Sequence, residues 1–558
     1  MAIWPTSNDD RGLDVMREHL ADLYEGLADA LGDRPALVHG PTVRSWSAFD
    51  DRASRIAAAL TDAGLAHQSK VGLLLYNCPE YLEAQLGAMK CRAVPVNINY
   101  RYRDQELAYL LENSDAEALV YHSSLAERVA RVASQIPTLR LLVQVADDET
   151  PLIDGAIGFE DLVAGHDPQE RIARDPDDLL LLYTGGTTGM PKGVMFRLGS
   201  WATSFSAAAL AQVGRDPLTP LADVPAVAAG LADHERLVTV PCAPLMHGTG
   251  LTLGAMMPQC VGATVVTLQQ RSFDAGELLD TIAANRVTNL AIVGDVFSKL
   301  ILQAIDERSG NGALDLSSIR LIFSSGTMWS AEVKQRLLDH MPDATLHDIM
   351  NSSEGAMATQ VTSRESPPTT ARFVLNPTTK VFDSDDREVV PGSGEVGMLA
   401  AGGSIPVGYY KDEAKTAGTF REIDGVMYSF PGDMATIESD GAIVLLGRGS
   451  QVINSGGEKI FCEEVEEAVK RVPGVRDCLV VGVEDERFGQ AVTAVVSEED
   501  GHSVDVSQIV ASVKSELAGY KAPRHVVLVD DVPRAPNGKA DHRAARTLAR
   551  SALGMSEQ

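Results

Sequence analysis

The sequence predicts an α/β protein: a large domain of layered sheets and helices, followed by a small α+β domain. Three observations carry this. Short apolar runs alternate with helical stretches along most of the chain. At 558 residues the chain exceeds what one ordinary core organises. Near residue 448 a Gly-Arg-Gly step precedes about 110 residues that have a strand and helix alternation of their own.

Taken in order, the run at 71–76 (VGLLLY) has the length of a buried strand, and 81–90 reads as a helix after it. Further strand-like runs stand at 118–121, 141–145, 179–183, 263–268 and 290–293, with no fixed-period repeat. Residues 211–236, rich in Ala, Pro and Asp, predict an excursion with a short helix outside the core, or the border of a substrate entrance. A strand at 442–446 runs into Gly447-Arg448-Gly449-Ser450, which sets 1–449 apart from 450–558.

Acidic residues outnumber basic ones, 77 to 48, for a formal charge of −29. That excludes general binding of nucleic acid or anionic membrane, so any anionic ligand must find local cations. Cys78, Cys91, Cys242, Cys260, Cys462 and Cys478 have neither CxxC nor metal-like spacing, and are expected as buried reduced thiols. The opening MAIWPTSNDDRG lacks the apolar core of a signal peptide, and no apolar run reaches the roughly 18 residues of a membrane span. A cytoplasmic location is expected; the sequence leaves homo-oligomers open.

The strand-like run at 179–182 empties into Tyr183-Thr184-Gly185-Gly186-Thr187-Thr188-Gly189-Met190-Pro191-Lys192-Gly193. Its glycines let several backbone N–H groups converge, while the threonine hydroxyls and Lys192 add donors and charge for a polyphosphate. The spacing is not that of a Walker A loop, and the proline argues against a helix starting inside it. Gly248-Thr249-Gly250 with Gly254 misses the dinucleotide fingerprint by one position, which disposes of a dehydrogenase.

The loop resembles the phosphate-binding signature of the adenylate-forming superfamily of acyl-CoA synthetases, peptide-synthetase adenylation domains and luciferases. Other motifs of that superfamily follow in order out to Lys539, so the resemblance spans nearly the whole chain. It implies ATP, Mg²⁺ and coenzyme A as cofactors, with Thr184, Gly185, Gly186, Thr187, Thr188, Gly189 and Lys192 on the nucleotide phosphates. Asn351-Ser352-Ser353-Glu354 corresponds to the motif whose glutamate holds Mg²⁺, a hard cation that prefers oxygen ligands. Asp433 corresponds to the ribose-binding aspartate and Arg448 to the arginine holding the nucleotide at the domain joint. His247 stands where the superfamily places a gate beside the acyl pocket, although a core histidine fits the same residues.

By the same resemblance Gly326, Thr327 and Trp329 border the acyl pocket. Ser455, Gly456 and Gly457 form the segment along which CoA enters, Lys521 is a candidate for its phosphates, and Ser450 is the hinge. Lys539 would bridge the carboxylate and α-phosphate, since one anion attacking another needs a cation between them. Thr184, Glu354 and Lys539 are therefore the catalytic candidates, and the small domain is expected to rotate between two half-reactions.

Two stretches depart from the superfamily pattern. Asn351 replaces a glycine, with Met350 in place of an aromatic, and Ser324-Ser325-Gly326-Thr327-Met328-Trp329 replaces Gly-Gly-Ala-Pro-Leu. The expectation is an Asn351 side chain crowding the nucleotide and an indole near the adenine and acyl pockets. The function expected by resemblance is an acyl-CoA ligase working through acyl-AMP, similar to actinobacterial ligases for fatty, steroid side-chain or terpenoid acids. The alternatives are a variant that mainly thioesterifies preformed acyl-AMP, an adenylating enzyme that loads a carrier protein, and a non-catalytic nucleotide- or acyl-binding protein.

Overall fold

The computed structural model describes residues 18–184, 190–308, 314–326, 329–366, 368, 372–448, 452–499, 501–533 and 541–555. Two sheets of the large domain enclose a layer of helices. In one, the strands Lys70–Leu74, Val94–Asn97, Ala116–His122, Leu141–Val145 and Leu179–Thr184 run parallel. Lys192–Arg197 then returns antiparallel beside the last, with Thr184 opposite Lys192 and Leu180 opposite Phe196. The phosphate-loop candidates at 185–189 lie outside the described residues, but the strands on either side hold their two ends together.

The other sheet begins with the parallel strands Pro35–His39, Thr264–Thr267, Val238–Pro241, Asn289–Ile292, Leu321–Ser325 and Thr345–Ser352. It turns antiparallel at Gly355–Thr362 and continues through Ala442–Arg448. Parallel strands covered on both faces need continuous apolar runs, which is why so many were legible in the sequence.

Leu20–Leu31, Trp46–Asp62, Pro79–Lys90 and Leu198–Gln212 fill the space between the sheets and share the largest apolar core. Pro79–Lys90 is buried on nearly every face, so its polar side chains must be paired inside. Lys90 Nζ lies 2.6 Å from both Glu25 Oε1 and Asp50 Oδ1, and Arg52 lies 2.8 Å from Glu83. The excursion at 211–236 does form a short helix, Val224–Gly230, but it is not outside the core. Val224 and Ala228, four residues apart on one face, are fully buried against the main core.

The small domain has its own five-stranded sheet, which includes Val452–Ser455, Glu458–Phe461 and Gly489–Glu498, and a core on each face. Ala442–Arg448 belongs to the large domain's sheet and Val452–Ser455 to this one. All six cysteines are free and buried. Among the described residues no helix is long and apolar enough to cross a membrane.

Replacing Lys90 by Met removes the buried cation that Glu25 and Asp50 share, leaving Glu25 to Arg174 at 2.7 Å and Asp50 with Arg171 no closer than 3.8 Å. The expected loss is about 3–5 kcal/mol from the large domain, read as an earlier thermal transition, whereas an unshifted transition would show the pair to be dispensable.

Candidate active site

A cavity of about 1000 Å³ opens where the two sheets and the small domain meet. Thr184, at the end of its strand, and the segment Asn351, Ser352 and Ser353 line one side. His247 and Gly326 line another, and Gly457, Glu458 and Tyr520 of the small domain close it.

The strands Thr345–Ser352 and Gly355–Thr362 are joined by a two-residue turn, Ser353-Glu354, with Ser352 paired to Gly355. Glu354 lies between two residues that line the cavity, Ser353 and Gly355, but is not itself among the lining residues. The Tyr409 hydroxyl donates to Glu354 Oε1, and Ser429 Oγ donates to the Glu354 carbonyl at 2.7 Å. Tyr409 itself pairs with Val194 beside the phosphate strand, so the glutamate is tied to the cradle through a single side chain. Among the described residues no group of three or more His, Cys, Asp or Glu side chains could hold a metal alone. A carboxylate among serine hydroxyls fits Mg²⁺ brought in with nucleotide phosphates.

Asn351 follows a bulge in its strand, and its carboxamide oxygen accepts a hydrogen bond from the Ser325 hydroxyl of the neighbouring strand. The two departures from the superfamily pattern thus satisfy one another, and the Asn351 oxygen is held towards the sheet. The neighbouring Ser324 hydroxyl accepts the Gly294 N–H at 2.9 Å.

The small domain docks through Glu458, which is buried. Its Oε1 lies 2.6 Å from Arg101 Nη1 and 2.9 Å from His247 Nε2, both in the large domain. Burial alone would raise this carboxyl, but the His247 ring, the Arg101 guanidinium and the Lys521 ammonium outweigh it and hold the pKa at about 2. Lys521 pairs with Glu106 across the same interface at 2.9 Å.

A narrower passage of about 280 Å³ reaches the same centre from outside, from Arg271 and Ser272 at the surface to His247, Gly326 and Glu458. Gly456 and Gly457 form part of its wall, at φ +61° and +84°. A Cβ at Gly457 would stand 2.9 Å from Val293 Cγ1, and one at Gly456 3.2 Å from the Phe488 ring, so only glycine fits both conformation and space. Phe488 is flanked by two cations, Arg524 at 3.6 Å and Arg487 at 5.1 Å from its ring centre.

The structure therefore gathers Thr184, Asn351, Ser352, Ser353, His247, Gly326 and Gly457 around the main cavity, and Gly456 on the passage. Ser455 is buried at the end of its strand and faces neither. Lys192 is paired with Asp412 at 2.6 Å, and Asp433, 7% exposed, is not among the lining residues. The Arg448 backbone pairs with that of Asp433. Thr327, Ser450 and Lys539 lie outside the described residues.

Two expectations are corrected. Trp329 does not border the acyl pocket: it is 1% exposed and packs inside the core behind the sheet, with Lys334 Nζ 5.4 Å from its ring centre. Lys521 is not available to CoA phosphates in this arrangement, because its side chain is 4% exposed and its ammonium is engaged by Glu106. Sequence reasoning also missed Glu458, Arg101 and Tyr409. Glu458 carried a signal, a lone acid directly after two glycines in a segment meant to approach a ligand.

A cradle and a separate small domain that closes on it with a glycine hairpin are the construction of two-domain adenylate-forming enzymes. The chain belongs to the AMP-binding enzyme family: that family matches residues 25–410, and the AMP-binding enzyme C-terminal domain matches 464–539. A medium/long-chain fatty acid and 3-oxocholest-4-en-26-oate CoA ligase of Mycolicibacterium smegmatis is 39% identical over 542 residues, 96% of this chain and 97% of that protein. A 3-oxocholest-4-en-26-oate CoA ligase of Rhodococcus rhodochrous is 37% identical, with 95% and 96% covered. Among solved structures, the amide bond synthetase McbA from Marinactinospora thermotolerans has a TM-score of 0.77 at 22% identity, covering 94% of this chain and 99% of that one. At that identity the likeness shows the fold.

Glu458→Ala leaves Arg101 and His247 without their anion and is expected to weaken docking by roughly 2–5 kcal/mol. Amide exchange should rise at 99–101 and 455–458 together, and unchanged exchange would show that docking rests elsewhere. Because the carboxyl lies below its ordinary value of 4.5 when docked, its contribution is complete above about pH 4.5 and is lost as the pH falls towards about 2.

Proposed function

We propose that the chain is an acyl-CoA ligase that joins a medium- or long-chain fatty acid, or a steroid side-chain acid, to CoA through an acyl-AMP intermediate. The observation that carries this reading is the meeting of a wide cavity and a narrow glycine-walled passage at His247, Gly326 and Glu458. One can hold the acyl adenylate while the other admits a thin, flexible thiol arm. The names of the relatives in Mycolicibacterium smegmatis and Rhodococcus rhodochrous supply the acid class.

In the first half-reaction the carboxylate oxygen attacks the α-phosphorus of ATP, and pyrophosphate leaves. Thr184 and the loop after it would cradle the phosphates, Glu354 would hold the Mg²⁺ that neutralises their charge, and Lys539 would stand between the two anions. Asp433 and Arg448 are assigned to the ribose and nucleotide, and Ser450 to the hinge on which the small domain turns. In the second, the CoA sulfur attacks the acyl carbon, AMP leaves with the bonding electrons and the thiol proton passes to solvent. Contacts between Glu458 and both Arg101 and His247 favour the described arrangement as the one for this step, because they bring the Gly456-Gly457 wall to the cavity.

CoA is favoured over a carrier protein by local charge. In a chain of net charge −29, Arg487 and Arg524 converge on Phe488 beside Gly456, a cationic and aromatic surface suited to an anionic nucleotide. A carrier's phosphopantetheine brings no such nucleotide.

Incubation with ATP, Mg²⁺, CoA and a panel of fatty and steroid acids tests the reading directly. Acyl-CoA and AMP are the expected products by mass, and their absence across the panel would overturn it. Lys539→Ala should suppress acyl-AMP formation by about a hundredfold or more while sparing thioester formation from supplied acyl-AMP. Equal losses in both steps would remove Lys539 from its role. Arg524→Ala should raise the KM for CoA about tenfold but leave that for pantetheine unchanged, and equal effects on both thiols would detach Arg524 from the nucleotide.

A further inference from the structure

A glutamate on a two-residue turn would ordinarily sample several rotamers. Here one bond selects among them, because the Tyr409 hydroxyl donates to Glu354 Oε1. Tyr409 is itself well anchored. It is 5% exposed, its backbone pairs with Val194 and donates to Thr416 Oγ1 at 2.9 Å, and its ring meets Phe420 edge-on with 6.0 Å between centres.

The segment 408–416 that carries Tyr409 also reaches Lys192. Asp412 Oδ1 caps the helix Glu413–Thr419 by accepting the Lys415 N–H at 2.9 Å, while its Oδ2 lies 2.6 Å from Lys192 Nζ. The Thr416 hydroxyl that accepts from Tyr409 donates to the Asp412 carbonyl at 2.8 Å. One short strap therefore holds the ammonium beside the cradle at one point and the carboxylate of the hairpin at another, and backbone bonds set the spacing between them.

Small and large divalent cations ask different things of a carboxylate. Ca²⁺ accepts both oxygens at about 2.3–2.6 Å in a flexible shell, whereas Mg²⁺ demands a near-ideal octahedron at about 2.0–2.1 Å, which the narrow bite of one carboxylate does not fit. With Oε1 committed to Tyr409, Glu354 cannot close on a cation with both oxygens unless that bond breaks. We propose that Tyr409 is a positioning residue for Glu354, and that by occupying Oε1 it selects Mg²⁺ over Ca²⁺ at the nucleotide phosphates. The inference rests on the assignment of Glu354 in the ligase reading above and adds to it what sets the choice of cation.

The test uses the full-length protein with α,β-methylene-ATP, whose α–β bridge does not cleave, and follows displacement of protein-bound Mn²⁺ by Mg²⁺ and by Ca²⁺ in electron paramagnetic resonance. The native protein should favour Mg²⁺ over Ca²⁺ by about fivefold or more beyond the preference of the nucleotide alone. Tyr409→Phe keeps the buried ring, yet should weaken Mg²⁺ about tenfold and Ca²⁺ by less than about twofold, since partners that orient a metal-holding group carry effects of that size. Ser429→Ala is the control. It removes the bond to the Glu354 carbonyl and leaves the one to Oε1, so affinity for both cations should fall together and their ratio should hold. The ratio is taken within each variant, so loss of folded protein does not imitate the effect. A native ratio no better than that of the nucleotide, a Tyr409→Phe ratio equal to the native one, or an equal shift in Ser429→Ala overturns the role of Tyr409. If the native protein holds no Mn²⁺ beyond that on the nucleotide, the assignment of Glu354 falls with it. The ligase reading is decided separately, by acyl-CoA formation with Mg²⁺.

Discussion

The buried carboxylate of Glu458 is the constraint on which the rest of the site depends. It arrives from the small domain, but the charges that make its burial tolerable, Arg101 and His247, belong to the large one. An anion removed from water must be paid for by such partners, so the small domain cannot close on the cavity in this way without meeting both. Glu458 and Gly457 line the main cavity and the passage alike. Together with Lys521 and Glu106 across the same interface, this carboxylate therefore ties the docked arrangement to the position of the His247 ring and of the glycine wall.

The same economy of buried charge supports the hairpin that carries Glu354. Lys334 is fully buried behind it, 2.8 Å from Asp348 and hydrogen-bonded to Gln360, residues that face each other across the two strands leading to the turn. The Trp329 ring lies beside that ammonium. A large aromatic face is a favourable neighbour for a desolvated cation, which gives a physical reason for the indole to turn inward instead of towards the ligand.

Much of the fold was legible because its strands are covered on both faces and so read as unbroken apolar runs, 179–183 being the clearest. The helix at Val224–Gly230 was legible as a helix, but its two buried positions were hidden by the Pro- and Asp-rich sequence around it. In the site, backbone motifs could be read where glycines mark close approach, as at Gly456 and Gly457. Side-chain direction could not. Trp329 sits one step from a cavity-lining segment yet points into the core, and Lys521 sits in a motif yet spends its charge on Glu106. The partner of Lys521 is hundreds of residues away and that of Trp329 only five, but in both cases spacing within the motif carries no trace of it.

The hydrogen bond between Ser325 and Asn351 has a consequence for how such proteins diverge. Judged one position at a time, each residue is a defect, a glycine lost from a strand that borders a nucleotide cleft. Judged together they are one compensated exchange, since the hydroxyl gives the amide somewhere to go. Reverting Asn351 alone would leave the buried Ser325 hydroxyl without this acceptor, whereas Asn351, which lines the cavity, could turn to water, so the order of reversion matters. That is epistasis written in a single contact, and it allows a lineage to remain an isolated variant long after whatever selected the first change has gone.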